Sequence, residues 1–559
     1  MARVIASRLK ITGRLVACGP LHVGGLGGNV DVDLALAENG SGERYVPGTS
    51  LAGPIRAWLL EQVDSNSREQ RRQWQKMIDG MWGFQTPGEA GRESEGSASF
   101  VIVEDGLVKL PAGVIVETRE GVGIDRVRGA AAEHNKYNRE VLPSGAEITL
   151  EMTAELSGKN DRARDLILAA LRALQRGEIR VGAAKTRGLG KVTLKDLSVC
   201  EQHLDNFDGM LAALRGAEEA LDISDVSAQR LPGLPQSHPK APRLEIDIEW
   251  APRGPLMVKA ERDGVAVDML PLVSAKGADL TFVLPGSSIK GALRYQAERI
   301  VRTVRRLPAP PPTDAKKDFL QQIEIMEKQG DEDDERSLIG ALFGAAGKAK
   351  KKAKDDRRIT KEIDEEGPPL LGLSALSVED CYAAPRFTPR HWEDIETASD
   401  VGDAQAGKES PSSLRRALQS AGLTQMQQAF HVAIDRWTGG AADGLLYTVL
   451  EPHGVAWEPI RLTVDLARLR EEDHRPAVMC LLLTLRDLVT GRIPLGFGVN
   501  RGMGAIEVTG VEIKGANLND PLSDLQNVKM IGGKLGGWSE PLKNTLEGAW
   551  KEYRGGEQQ

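Results

Sequence analysis

The sequence predicts an α+β fold in two tandem copies. Three observations carry this: short motifs that recur in the same order, strand-like runs that open and close each copy, and helical segments between them. A chain of 559 residues with 41% hydrophobic content is long enough to bury more than one core.

Four pairs of segments make up the repeat. Tyr45-Val-Pro-Gly-Thr-Ser-Leu-Ala-Gly-Pro-Ile-Arg56 matches Val283-Leu-Pro-Gly-Ser-Ser-Ile-Lys-Gly-Ala-Leu-Arg294. Trp82-Gly83 matches Phe343-Gly344 more weakly. Ile124-Asp-Arg126 followed by Gly129-Ala-Ala-Ala132 matches Ile434-Asp-Arg436 followed by Gly439-Gly-Ala-Ala442. Arg187-Gly-Leu-Gly190 matches Arg501-Gly-Met-Gly504. A conserved order of four matches points to duplication rather than coincidence. Pro47 to Arg187 spans 140 positions and Pro285 to Arg501 spans 216, so the second copy holds 76 additional residues.

These place a first domain at 1–225, a linker at 226–243 and a second domain at 244–559, with insertions near 305–366 and 386–428. The linker is proline-rich without apolar periodicity. The first insertion contains Leu307-Pro-Ala-Pro-Pro-Pro312, the charged run Asp331–Arg336 and the lysine-rich stretch from Lys348 to Glu366, whose basic and acidic parts offset one another.

Within each copy, alternation predicts opening strands at Ser7–Val16 and Arg243–Trp250. Helical spacing predicts Ser50–Val63, Ser287–Arg302, Arg164–Leu174 and Pro476–Val489 as helices, and Lys191–Ser198 and Ala505–Glu512 close the copies as strands. Strand, helix, strands, helix, strand is the ferredoxin-like, or RRM-like, order, with helices over one face of an antiparallel sheet.

Composition narrows the function. A net charge of −8 argues against a free-standing basic nucleic-acid binder, so any such site must be locally basic. Aromatic content of 4% leaves too few rings for a base-stacking platform. The four cysteines are too dispersed for local zinc spacing, and neither a phosphate-binding GxxxxGK[ST] loop nor a dinucleotide fingerprint is present. No run is long and apolar enough to span a bilayer, and the N-terminus lacks an apolar leader, so the expected location is cytoplasmic with no membrane partner.

Pro-Gly-Thr/Ser-Ser at a helix start supplies hydroxyls and outward backbone N–H groups, an arrangement suited to phosphate or to ordinary capping. Ser50, Ser287, Ser288 and Lys290 lie there, and Arg56 and Arg294 follow within two turns. The Arg-Gly-x-Gly segments, with Lys185, Arg187 and Arg501, are glycine-rich turns that another backbone can approach closely.

Taken in order, Leu-His-Val-Gly-Gly, Val-Asp-Leu, Tyr-Val-Pro-Gly-Thr-Ser, Trp-Gly, Ile-Asp-Arg and Arg-Gly-Leu-Gly resemble the RAMP superfamily. Within it they resemble the Cas-seven-type backbone subunits of type III CRISPR effector complexes, here as a fused pair. The resemblance implies a guide-RNA grip, target RNA and other effector subunits as partners, and Mg²⁺ (or Mn²⁺)-assisted target cleavage dependent on a loop aspartate before the Pro-Gly motif. Asp33, 14 positions before Pro47, and Asp268, 17 before Pro285, fit that place as catalytic and metal-binding residues, with Asp31 and Asp263 in reserve. His22 is a further catalytic candidate in the first copy, where the second reads Leu256-Met-Val. The resemblance also puts Ile-Asp-Arg at 124–126 and 434–436, with Arg126 and Arg436, near a hairpin that wedges between guide and target strands; Glu117 and Glu120, which precede the first of these, are candidate assistants in catalysis. Two alternatives stay open: a non-catalytic guide-binding subunit, and a metal-independent guide-processing ribonuclease using histidine or tyrosine.

Overall fold

A computed structural model describes residues 4–25, 32–62, 68–85, 96–157, 161–221, 242–261, 263–308, 310, 322–323, 337–345, 373–399 and 413–554. Asp31, most of the linker, part of the proline run at 307–312, and the charged runs at 331–336 and 348–366 lie outside them.

Both halves carry the ferredoxin-like sheet. In the first, Ser7–Ala17 is central, flanked by Val192–His203 on one side and Glu147–Leu156 on the other, with Gly106–Lys109 beyond. In the second, Arg243–Pro252 is flanked by Ile506–Ala516 and Ile460–Asp465, with Leu376–Val378 beyond. Numbered along the chain, both orders are 4-1-3-2, all antiparallel. The opening strand of each alternates buried and partly exposed positions, as its period of two requires.

Helices Gly48–Gln62 and Asp161–Arg176 cover the first sheet, and Gly286–Arg305 and His474–Val489 the second. Each half therefore has its own core: Leu9, Ile11, Leu51, Ile148 and Leu171 in the first, Ile246, Ile248, Leu293, Leu376 and Leu485 in the second. The weak Trp-Gly and Phe-Gly match proves to be a helix end in each half. Gly83 at φ 77° and Gly344 at φ 96° follow Arg68–Trp82 and Leu338–Phe343 and take the conformation that a side chain disfavours.

Between the second and third sheet strands, each half sends out a two-stranded hairpin, Glu117–Ile124 with Ala131–Val141 and Met426–Ile434 with Ala441–Pro452. The Ile-Asp-Arg motifs form their tips. Asp125 accepts hydrogen bonds from the amides of Val127 (2.7 Å) and Arg128 (3.1 Å), and Asp435 from the amide of Trp437 (2.8 Å), so these aspartates build turns. The region 386–428 contains helices Pro389–Thr397 and Ser413–Ser420, whose Trp392, Ile395, Leu414 and Leu418 form a third core with Phe282 and Phe387.

Candidate nucleic-acid interface

Asp33 and Asp268 occupy matching places. The Asp33 amide donates to Asn138 Oδ1 (2.7 Å), and the Asn138 amide donates back to Asp33 Oδ2 (2.9 Å). The Asp268 amide donates to Thr448 Oγ1 (3.0 Å), and the Thr448 amide donates back to Asp268 Oδ2 (2.7 Å). Asn138 and Thr448 lie at the same register of their hairpins, as far apart in the chain as Ile124 and Ile434 are. Both aspartates are exposed, and among the described residues Oδ1 of each takes no hydrogen bond. The reserve Asp263 instead faces Lys259 at 3.4 Å.

His22 is buried, with Nδ1 2.7 Å from the Glu140 carbonyl oxygen. That bond requires the proton on Nδ1 and leaves Nε2 as an acceptor. Burial lowers its pKa below the ordinary histidine value, and the Arg139 charge adds to this, against the pull of the Glu140 carbonyl and carboxylate. The His22 carbonyl is packed by Gly182, where an added Cβ would fall 2.2 Å away; Gly496 stands at 2.3 Å from the Met257 carbonyl in the same way. Met257 thus takes the place of His22 in the second half.

The Arg-Gly-x-Gly turns also superpose in kind. Ala184 (φ 54°) and Gly498 (φ 68°) lead into one turn of 3-10 helix at Lys185–Arg187 and Val499–Arg501, and Gly188 (φ 93°) and Gly502 (φ 86°) leave it. Arg187 and Arg501 are exposed; Arg501 donates to the Tyr447 hydroxyl at 2.6 Å.

The Pro-Gly helix mouths differ from the open anion site expected of them. The Gly48 amide donates to Asp105 Oδ1 and the Gly286 amide to Asp380 Oδ1, both at 2.7 Å, so a carboxylate already occupies each mouth. Ser50 and Ser288 turn their amides onto Pro47 and Pro285 carbonyls. Both glycines are dictated by contact: a Cβ would lie 2.0 Å from the Val103 carbonyl oxygen at position 48 and 2.3 Å from that of Val378 at position 286. Val103-Glu-Asp105 and Val378-Glu-Asp380 are therefore a fifth repeated motif, which the sequence spells out twice.

The RAMP superfamily model matches residues 14–193 and 271–507, more than half of the chain and one match per half. The chain belongs to the RAMP superfamily. RAMP proteins are CRISPR-associated RNA-binding proteins. No curated protein matches the chain.

Several residues expected to touch RNA instead join the two RAMP halves. Lys290 is buried and donates to the Thr186 carbonyl (3.2 Å), the Leu376 carbonyl (2.8 Å) and the Ser374 hydroxyl. Burial, then Arg187, Arg294 and Arg468, pull its pKa down to about 6. It ties the first half's glycine-rich turn to the second half's helix and is inaccessible to a nucleic acid. Arg126 pairs with buried Glu298 at 2.6 Å, which also accepts from Arg294 at 2.7 Å, so these two arginines neutralise one carboxylate between halves. Arg56 stays within the first half, where it pairs with Asp79 at 2.6 Å. Glu117 accepts from the Ala275 amide (2.7 Å) and Ser274 hydroxyl (3.0 Å) across the joint, and Glu120 pairs with Lys136.

Arg119 is the joint's centre: buried, it faces Glu117 (3.2 Å) and Asp380 (3.3 Å) and donates to Ser274 (2.9 Å). Burial pushes the Asp380 carboxyl up, with Arg119 and the Gly286 amide pulling the other way. Glu379 receives Arg180 (2.9 Å) and Lys191 (3.1 Å), which overcome burial and hold it below the usual carboxylate range. The second RAMP hairpin has no such seat: Arg436 is exposed and Trp437 is 96% exposed.

Lys185 is half-buried, and burial followed by Arg468 lowers its pKa. Accessible basic candidates thus narrow to Arg187, Arg436 and Arg501, with Arg56 partly exposed in its ion pair and Ser287 exposed beside the helix mouth. Among the described residues no three His, Cys, Asp or Glu side chains converge to hold a metal, and no helix is long and apolar enough to cross a membrane.

Proposed function

We propose that the chain is a double backbone subunit of a type III CRISPR effector, which holds guide RNA along both halves and cuts complementary target RNA at Asp33 and Asp268. The observation that carries this is the reciprocal pairing of each aspartate with the same hairpin position, Asn138 or Thr448, which orients one carboxylate oxygen and leaves the other open. Two unrelated surface aspartates have no reason to share that arrangement.

RNA supplies its own nucleophile, so the protein needs to set geometry, offset phosphate charge and move protons. The 2′-oxygen forms a bond to phosphorus as the bond to the 5′-oxygen breaks. The 2′-hydroxyl proton leaves to a base and the 5′-oxygen gains one, giving a 2′,3′-cyclic phosphate and a 5′-hydroxyl. His22 is as deeply buried as Lys290, so in the first half it supports the strand that carries Asn138 through the Glu140 carbonyl rather than meeting the 2′-hydroxyl, and Met257 stands in its place in the second; the exposed Asp33 and Asp268 are the candidates for the base. A single carboxylate fits Mg²⁺ (or Mn²⁺), which keeps several waters and takes phosphate oxygens from substrate, better than it fits an all-protein cage. Such an ion at Asp33 or Asp268 would offset phosphate charge.

The test is product mapping in the reconstituted complex. Asp33→Ala should abolish one product and Asp268→Ala another, each leaving its counterpart. Two products that persist in both single variants would overturn the assignment.

A further inference from the structure

The two aspartate sites share a backbone and differ in charge. Next to Asn138, the partner of Asp33, stands Arg139, half-buried, its guanidinium 6.0 Å from the centre of the Tyr137 ring. Among the described residues its buried Nε has no hydrogen-bond partner. The charged groups that act on it are Tyr137 and Arg187, with burial the largest influence, and the net effect is to disfavour its charged form. Arg139 also acts on His22, whose Nδ1 meets the carbonyl of the next residue, Glu140.

His22 ties the two arginines' segments together, holding the Glu140 carbonyl next to Arg139 while its own carbonyl accepts from the Ala183 amide (2.9 Å) of the turn that carries Arg187, so an anion there would supply the partner that Arg139 Nε lacks. A guanidinium is suited to phosphate because its planar donors match two oxygens at once. RNA brings that anion to Asp33 as its phosphodiester.

The second half is built otherwise. Val449 stands where the first has Arg139, and with Met257 and Met503 it forms a buried apolar cluster against which Met269, Tyr447 and Phe497 pack. Across the hairpin, Arg119 faces Arg139 in the first half, whereas Ala429 faces Val449 in the second. Arg501, the counterpart of Arg187, lies over the Tyr447 ring and donates to its hydroxyl.

We propose that Arg139 and Arg187 form a phosphate clamp present only at the Asp33 site, so that the two halves grip RNA unequally. The proposal rests on the reading that RNA lies along the aspartate sites, and the bound phosphate belongs to either the guide or the target strand.

The experiment uses the full chain in its reconstituted complex. Arg139→Met keeps the side chain's length over Tyr137, Arg139→Lys restores a charge, and Arg187→Met tests the clamp's exposed member. Affinity is measured against salt for guide RNA and, separately, for target RNA on the guide-loaded complex. Both Met variants should flatten the log affinity against log salt slope for the same strand by about 0.7–0.9. Affinity for that strand should fall roughly tenfold, and Arg139→Lys should recover part of it. The Asp33-dependent product should slow while the Asp268-dependent one keeps its rate. Unchanged slopes on both strands in either Met variant would overturn the clamp, as would equal slowing of both products. Flattened slopes together with an Asp33→Ala variant that still yields both products would uphold the clamp and overturn the cleavage reading instead.

Discussion

Gly188 and Gly502 offer an internal control on how the two halves are joined. Both have φ near 90°, so alanine at either position carries the same backbone strain, about 1–2 kcal/mol. Their surroundings differ. At Gly502 an added Cβ meets nothing within 4 Å, whereas at Gly188 it would lie 2.2 Å from Asp380 Oδ1 and 3.1 Å from the Asp380 amide nitrogen. The clashing oxygen is held by the Gly286 amide, so a rotamer change that relieves the clash gives up that cap, and keeping the cap lifts the first half's turn off the second half. Either way a buried carboxylate that caps Gly286 at 2.7 Å and faces Arg119 at 3.3 Å is disturbed. Disrupting a buried hydrogen-bonded charge adds about 2–3 kcal/mol to the strain. Gly188→Ala should therefore unfold roughly 4–12 °C below Gly502→Ala, taking about 2–4 °C per kcal/mol for a unit the size of one half. Thermal unfolding followed by intrinsic fluorescence and by circular dichroism reads this. The two probes should diverge for Gly188→Ala as the halves uncouple. Equal midpoints for the two variants would refute the claim that the Arg-Gly-x-Gly turn of one half is seated on the Val-Glu-Asp segment of the other.

Two further outcomes follow from buried or capping groups. Lys290 has a folded pKa of about 6 against an ordinary value of 10.5, so the unfolded chain binds more protons between those limits and stability should rise as pH rises through that window; denaturation midpoints of the parent and Lys290→Met across pH 5–10 should show a shallower rise in the variant, and parallel curves would contradict it. Asp105 caps its helix through one exposed carboxylate, so Asp105→Ala should cost about 1 kcal/mol in a denaturation midpoint, whereas a loss under a few tenths would remove the cap from the account.

Much of the fold was legible in the sequence because it rests on backbone constraints. Gly48, Gly286, Gly190 and Gly504 each face a carbonyl within 2.3 Å of where a Cβ would stand, and such positions leave a repeated trace. Helix periodicity located Gly286–Arg305 and His474–Val489 within a few residues. The helix Arg68–Trp82 escaped notice because its polar residues dominate, with Trp74, Ile78 and Met81 as its buried positions. The region 386–428, expected as an insertion, holds two helices that pack into a core of their own.

The site was legible in part. Asp33, Asp268 and the paired turns occupy equivalent places, but a basic residue does not announce whether it will face RNA or the other half of its own chain. Lys290, Arg126 and Arg294 read as RNA contacts and turned out to hold the joint. Arg119 and Arg139 passed unnoticed because their counterparts are Ala429 and Val449, so no repeat marked them. The Val-Glu-Asp pair was a visible signal, masked by the resemblance of acidic dipeptides to ordinary turn residues.

We propose that two equivalent aspartates in one RNA-gripping chain perform the cut. It is tested most directly by the double variant Asp33→Ala/Asp268→Ala in the reconstituted complex, with guide retention, target affinity and cleavage measured on the same preparation. Guide and target should be retained at parental levels with both products of this subunit gone. Loss of guide or target binding, or survival of either product, would contradict it.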